Sequence, residues 1–262
     1  MVRILQIAVF IFTLSIFSAC QVDKFSPCDA NKGIPGMLCK EYHFQNDASI
    51  GYISYYYNDA GQAVRKDYLE PGGNLKMYTQ ITYDNGKLKK ETSFNPDGKQ
   101  IRETDYNYDN QENLSAIDNL EDGVQVSQKK FEYQGTYLSK ESEFSNGSLE
   151  NYITYQYFQD DNRLFKKSYY NAQHQLISYT TNEYFPNHIT RNNHYAANNV
   201  FTGYDLTQAD EEDLPLRFTS YNAQSNVMEY TDYEYDASGN LTKTTQFDEN
   251  GKALSYIIYV YF

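Results

Sequence analysis

His43, His174, His188 and His194 are the four histidines of this 262-residue chain, and they are the first residues to test for chemistry. In "HITRNNH", His188 and His194 stand six apart, which places both on one face of a strand. A zinc centre takes three or four ligands, and no third stands at a fixed spacing, so a surface pair and no metal site is expected. Carboxylates crowd together at Asp160–Asp161 and Glu211–Glu212–Asp213, in turn-like stretches where acids are common anyway. There is no serine elbow, no cysteine and histidine arranged for nucleophilic attack, and no glycine-rich loop opening a helix. The expectation is a non-enzyme with no catalytic residue and no cofactor. Acidic turns also raise the question of calcium. An EF-hand loop needs alternating ligands and a closing Glu, and "DASGNLTKTTQF" from Asp236 has no such Glu. "QADEED" is the better calcium candidate, although a solvated acidic loop is its ordinary reading.

Such residues need elements to carry them, and the chain begins with one that does not belong to the fold. "MVRILQIAVFIFTLSIFSACQ" has Arg3, an apolar run from Ile4 to Phe17, then small residues. That is the layout of a secretory signal peptide, residues 1–19, too short and wrongly flanked for a spanning helix. Cys28 and Cys39 enclose "DANKGIPGML", which can fold back. In an oxidising compartment the two would bond, and closing so short a loop is worth on the order of 3 kcal/mol. A metal pair would want further ligands and closer spacing. Residues 20–40 are therefore expected to be a tether with a disulfide loop, and residues 41–262 the folded domain.

"FSAC" resembles the bacterial lipoprotein signal, with Ser18 and Ala19 before the cysteine and Phe17 where Leu is usual. The resemblance implies that Cys20 becomes the first mature residue and carries lipid. It also implies a bacterial envelope location, with Gln21 favouring the outer membrane. Acyl chains hold strongly, since each buried methylene contributes about 0.8 kcal/mol. The partner implied is a membrane reached through the anchor, with no transmembrane span.

Net charge is −13, with 35 acids against 22 bases. Such a surface repels phosphate backbones, so nucleic acid is not an expected partner. Tyr numbers 28, Phe 15 and Trp none. Disordered chains are poor in aromatics. A strand-rich fold accounts for the abundance, because Tyr favours strands and keeps a polar tip in water.

The aromatics recur. Pairs of the form aromatic-x-aromatic run through Tyr55–Tyr57, Tyr106–Tyr108, Phe131–Tyr133, Tyr155–Tyr157, Tyr233–Tyr235 and Tyr259–Tyr261, with Tyr83 and Tyr184 continuing the row singly. A second row is Tyr68, Phe94, Leu120, Phe144, Tyr170, Tyr195, Tyr221 and Phe247, at gaps of 26, 26, 24, 26, 25, 26 and 26. Asp, Asn and Gly fill the stretches between, as in "NPDG" and "DASGN", and such stretches between apolar runs signal hairpins. Leu88–Phe94 and Leu164–Tyr170 are six apart, an even gap that puts both on one face. Ile101 and Tyr106 break the parity, as a bulge would. The fold class expected is all-β: about eight units of about 25 residues and about sixteen strands. At about 4.8 Å per strand these form an elongated, twisted antiparallel sheet extending about 75 Å, open or curled. The seventh unit inserts "DLTQADEEDLP" from Asp205, so Asp205, Asp210, Glu211, Glu212 and Asp213 are expected in a protruding loop, the candidate for specificity.

The units resemble the YD repeats of RHS proteins, most closely at "YEYDASGNLTKTTQFDENGK" from Tyr233. MORN-like repeats are the second resemblance, through "FSNGSL" and "YDNGKL". The YD resemblance implies strand-turn architecture. In large RHS proteins it implies a shell around a toxin domain, for which this chain has too few units. The function expected is a lipid-anchored envelope protein whose row Tyr57, Tyr83, Tyr108, Tyr133, Tyr157, Tyr184, Tyr235 and Tyr261 builds a non-enzymatic binding or scaffold surface. A protein or glycan partner fits it. The alternatives are an envelope enzyme with a carboxylate and histidine site, a toxin-partner or immunity protein, and, least favoured, an outer-membrane barrel. Against the barrel, "KLKKETSF" and "NLTKTTQF" lack a continuous apolar row.

Overall fold

The computed structural model describes residues 34–262, and every regular element in it is a strand. The strands are β1 (Leu38–Gln45), β2 (Ala48–Tyr57), β3 (Ala63–Leu69), β4 (Leu75–Asp84), β5 (Lys87–Phe94) and β6 (Gln100–Tyr108). Next come β7 (Leu114–Glu121), β8 (Val124–Gln134), β9 (Tyr137–Ser145), β10 (Ser148–Tyr157), β11 (Leu164–Asn171) and β12 (Leu176–Phe185). The last six are β13 (Ile189–Ala196), β14 (Phe201–Ala209), β15 (Pro215–Asn222), β16 (Val227–Tyr235), β17 (Leu241–Asp248) and β18 (Ala253–Tyr261). Short polar turns separate them. In one kind, a single Asn or Asp holds the chain. Asp236 Oδ1 accepts the backbone N–H of Ser238 and Asn240, and Asn58, Asp109, Asn171, Asn222 and Asp248 make the same pair of bonds. The side chain thus satisfies N–H groups that the ladder leaves over.

Each strand pairs antiparallel with its neighbours in sequence, and β1 pairs with both β2 and β18. The sheet is therefore a closed ring of eighteen strands. This corrects the expected open sheet of about sixteen strands. The unit count is also nine hairpins, because Phe44 in β1 opposes Tyr256 in β18 and supplies the member of the second row that precedes the others. Closure removes the edges that an open repeat sheet would leave unpaired. Eighteen strands at about 4.8 Å give a circumference of about 86 Å before tilt, which leaves space inside rather than a packed core.

Burial agrees. Among the described residues no large side chain is fully buried, and the buried apolar residues are Cys39, Tyr42 and Ile81. What replaces a core is cross-strand contact on the two faces of the sheet. The ladder assigns the faces, since opposed residues share one. On the first face, β11 carries Leu164, Lys166, Ser168 and Tyr170. The sequence pattern predicts the leucine and the aromatic there. It does not anticipate the cation between them. Lys40, Arg65, Lys90, Lys140, Lys166, Arg191, Arg217 and Lys243 hold the equivalent place in eight of the nine odd-numbered strands, and Ala116 holds it in the other. Most lie over tyrosines, as with Arg65 on Tyr78 at 4.1 Å, Lys166 on Tyr179 at 4.1 Å and Arg191 on Tyr204 at 4.0 Å. Those tyrosines stack on the next strand: Tyr78 on Phe94, Tyr179 on Tyr195, Tyr204 on Tyr221 and Tyr230 on Phe247, with centroids 4.5–5.0 Å apart. Each such pair adds about 0.5–1.5 kcal/mol. Under this layer Ser142, Ser168, Asn193, Thr219 and Thr245 are buried. In the first such pair Leu69, not Tyr68, opposes Tyr52, so Tyr68 belongs to the other face.

The row Tyr57, Tyr83, Tyr108, Tyr133, Tyr157, Tyr184, Tyr235 and Tyr261 shares one contact. Every hydroxyl in it donates to a backbone carbonyl at the start of the preceding strand: Leu38, Ala63, Leu88, Leu114, Leu138, Leu164, Pro215 and Leu241, at 2.8–3.0 Å. A bulge precedes Tyr57, Tyr83, Tyr108, Tyr133, Tyr157 and Tyr235. A separate one at Ile101, where Arg102 opposes Ser93 and Gln100 opposes Phe94, explains the broken parity between Ile101 and Tyr106. The tyrosines of the row fasten eight of the nine hairpins to themselves. Burial raises the phenol pKa at Tyr57, Tyr83, Tyr133, Tyr157, Tyr235 and Tyr261 above the ordinary value. Tyr157→Phe should lower stability by about 1 kcal/mol with no change of secondary structure, measured by urea unfolding followed by circular dichroism.

Candidate functional site

The second face carries another row. In β2, β6 and β10, Tyr55, Tyr106 and Tyr155 donate their hydroxyls to Glu41, Glu91 and Glu141 on the preceding strand, at 2.8, 3.2 and 3.0 Å. These are the leading aromatics of the aromatic-x-aromatic pairs. Burial first, then the charge and hydrogen bond of Glu91, push Tyr106 up to about 12. Tyr55 and Tyr155 rise for burial and their carboxylate partners as well. The folded-state value of Tyr106 lies above that of an unfolded tyrosine, about 10. The stability that the Tyr106 bond contributes is therefore intact below pH 10 and is lost as pH climbs through about 12. Alkaline unfolding should set in over that window, and Tyr106→Phe should remove one late-titrating phenol from the ultraviolet absorbance titration.

This row has gaps. Ile81, Asn182 and Thr207 stand where the other units carry an aromatic ring. Asn182 and Thr207 belong to successive hairpins, so two neighbouring rings are missing from one part of the second face. Between them β13 presents Asn192 and His194. The ladder sets Asn182 opposite Asn192, Asn192 opposite Asp205, and His194 opposite Thr180 on one side and Gly203 on the other. Gly203 contributes no side chain, and a Cβ there would lie 2.3 Å from the Tyr221 carbonyl oxygen at a φ of +153°.

The outcome is a cleft of about 430 Å³ lined by Tyr169, Ser178, Thr180, Asn192, His194 and Asp205 among others. A smaller hollow of about 120 Å³ adjoins it and shares His194, Thr202 and Asp205. Asp205 is its charged centre. Oδ2 meets His194 Nε2 at 2.9 Å, and Oδ1 accepts the Ser220 hydroxyl at 2.8 Å. The carboxylate stands between serine and histidine, so the histidine is not placed to take the serine proton. A nucleophilic relay needs the histidine in the middle. Asn192 Oδ1 is buried and has no hydrogen-bond partner.

Of the residues expected in a protruding loop, only Asp205 enters this cleft, and it does so from within β14. The loop itself is absent. β14 runs to Ala209, and Asp210 to Leu214 form a turn like those of other units, with Asp210 Oδ1 accepting N–H groups from Glu212 and Leu214 at 2.9 Å each. Glu211 and Glu212 are exposed, and Asp213 pairs with His188 at 2.5 Å. His188 lies in the turn before β13 at positive φ, so it does not share the strand face of His194. The ninth member of the fastening row is missing here too, and the Ala209 N–H bonds the His188 carbonyl in its place. Cys39 is buried in β1 at 4% exposure, whereas Cys20 and Cys28 lie outside the described residues. Among the described residues no group of three or more metal-ligating side chains comes together, and no helix is long and apolar enough to cross a membrane.

Sequence reasoning named Asp205 and His194 but not Asn192, Thr180 or Gly203. The signal lay in the first aromatic of each pair, whose absence at Asn182 and Thr207 marks the cleft.

No protein-family model matches the chain, and no curated protein matches it. Among solved structures it is similar to a porin-like protein from Bacteroides uniformis, at 13% identity over 87% of this chain and 99% of that one, with a TM-score of 0.47. A porin-like protein from Bacteroides vulgatus is similar at 10% identity, 86% and 98% coverage and a TM-score of 0.38. TcdB2-TccC3 without its hypervariable C-terminal region is similar at 15% identity over 77% of this chain and 12% of that one, with a TM-score of 0.38.

Proposed function

We propose that the chain is a lipid-anchored bacterial envelope protein, held at the membrane through Cys20, whose closed repeat sheet stands in water as a non-enzymatic binding shell. The observation that supports this most is the polarity of both faces. The first carries the cation ring together with Asp67, Asp105, Asp118 and Asp232. The second carries Glu41, Lys66, Glu91, Lys129, Glu141 and Lys167. A barrel in lipid needs one face with every second residue apolar, and a Lys or Arg at the bilayer midplane costs about 2–4 kcal/mol. The order of serine, aspartate and histidine in the cleft supports a site that binds without reacting. A disulfide between Cys28 and Cys39 completes the tether.

A second reading, an outer-membrane barrel, draws support from the closure of the sheet, since a closed antiparallel ring is the strand architecture that can cross a membrane. Palmitate labelling of the wild-type chain and Cys20→Ala, followed by high-salt extraction of the membranes, separates the two. The anchored shell predicts labelled wild-type protein in the membrane and an unlabelled Cys20→Ala protein that is released. Labelling that persists in the variant overturns the anchor, and an unlabelled variant that stays in the membrane favours the embedded barrel.

A further inference from the structure

We infer that the cleft across β11 to β14 is a saccharide-binding subsite, seated where the repeat omits a tyrosine. The inference rests on the reading of the chain as a binding shell. Its core is an equivalence between units. Glu41, Glu91 and Glu141 each accept a hydroxyl from a tyrosine fourteen or fifteen residues later. Asn192 occupies their place in the seventh unit, and fifteen residues on stands Thr207. The tyrosine hydroxyl is gone, and the acceptor that it would have met, Asn192 Oδ1, is buried without a partner. A buried unmet carbonyl costs about as much as a lost hydrogen bond, so it favours a ligand that brings a hydroxyl to it.

The rest of the lining describes that ligand. Ser178, Thr180 and Thr202 offer hydroxyls, His194 uses only Nε2 within the protein, and Asp205 is a charged acceptor. Tyr169 supplies an aromatic ring. Hydroxyls that both donate and accept, carried on a compact ring whose C–H face packs against an aromatic, are the properties of a neutral sugar. Aliphatic side chains do not line the cleft, which disfavours a peptide anchored by an apolar residue. The volume falls in the range usual for small-molecule sites, roughly 300–1,000 Å³.

The test is a printed array of neutral hexose and N-acetylhexosamine oligosaccharides, probed with the full chain, with calorimetric titration of any sugar retained. Wild-type protein should bind. Asn192→Leu, which keeps the volume and removes the acceptor, should weaken binding about tenfold or more. Thr207→Tyr restores the repeat's own hydroxyl to Asn192, so it should keep the fold and abolish binding. Ser93→Ala, in another unit, should bind like wild type. If no sugar on the array is retained, or if Thr207→Tyr binds as well as wild type, the saccharide proposal is overturned. Retention of a tyrosine-bearing peptide in place of sugars, lost in Thr207→Tyr, would overturn it as well. Crosslinking in the native envelope separates this from the wider reading: a partner still captured by Thr207→Tyr leaves the binding shell standing, and no partner for any form removes it.

Discussion

Ile258→Pro should collapse the whole barrel, lowering stability by about 3–5 kcal/mol. Ile258 sits in β18 between Tyr42 of β1 and Lys243 of β17, at the seam that closes the ring. Proline cannot donate to the ladder and is confined to sheet edges, and this ring has none. Breaking the seam leaves two strands with unpaired N–H and C=O groups. An ordinary domain would hold the damage with a packed core. Here no large side chain is fully buried among the described residues, so the ladder and its stacked rings are what remain. The loss should appear as a shifted urea midpoint and as association of the opened sheet in sedimentation. Glu249→Pro, in the turn between β17 and β18, places proline where such turns accept it and should change stability by less than about 0.5 kcal/mol. Equal effects of the two substitutions would contradict the closed ladder as the source of stability.

The second large effect is expected at Gly203. Gly203→Ala should cost about 3 kcal/mol or more, because the new Cβ would lie 2.3 Å from the Tyr221 carbonyl oxygen, and that oxygen belongs to backbone that cannot move without breaking the ladder. The φ of +153° adds strain that no L side chain relieves. Gly86→Ala is the comparison. Gly86 also has positive φ, at +82°, but nothing lies within 4 Å of its Cβ, so the cost there should be about 1 kcal/mol. Chemical denaturation of the two variants decides between steric exclusion and backbone conformation alone. The same glycine leaves open the floor beside His194, so stability and the cleft depend on one missing side chain.

Much of this architecture is legible in the sequence. Tyrosines spaced by about 25 residues and Asn, Asp and Gly turns imply repeated antiparallel hairpins, and the hairpins are there. Closure is not legible, because it is a property of the ends. Tyr42 and Phe44 in β1 meet Ile258 and Tyr256 in β18 more than two hundred positions later, and no local pattern encodes that pairing. The bulges are half legible. The parity break between Ile101 and Tyr106 signals the one at Ile101, but the bulge before a fastening tyrosine such as Tyr108, and the carbonyl that receives its hydroxyl, do not show in the sequence. The expected loop at Asp205 to Leu214 misreads acidity as length: Asp210 holds a turn of ordinary size, and Asp205 is a strand residue. The cleft was visible only by its omissions, at Asn182 and Thr207. A search for residues capable of chemistry passes over it, since what matters at Thr207 is the ring that is not there.

The most direct measurement of the closed ring is a disulfide trap across the seam. His43 in β1 stands opposite Ile257 in β18, two strands that lie at opposite ends of the described chain. In His43→Cys with Ile257→Cys, mild oxidation and a non-reducing peptide map should recover the cross-strand disulfide in high yield from the monomer, with neither single variant forming it. A double variant that stays reduced while folded, or that links only between molecules, would mean an open sheet and would contradict the barrel.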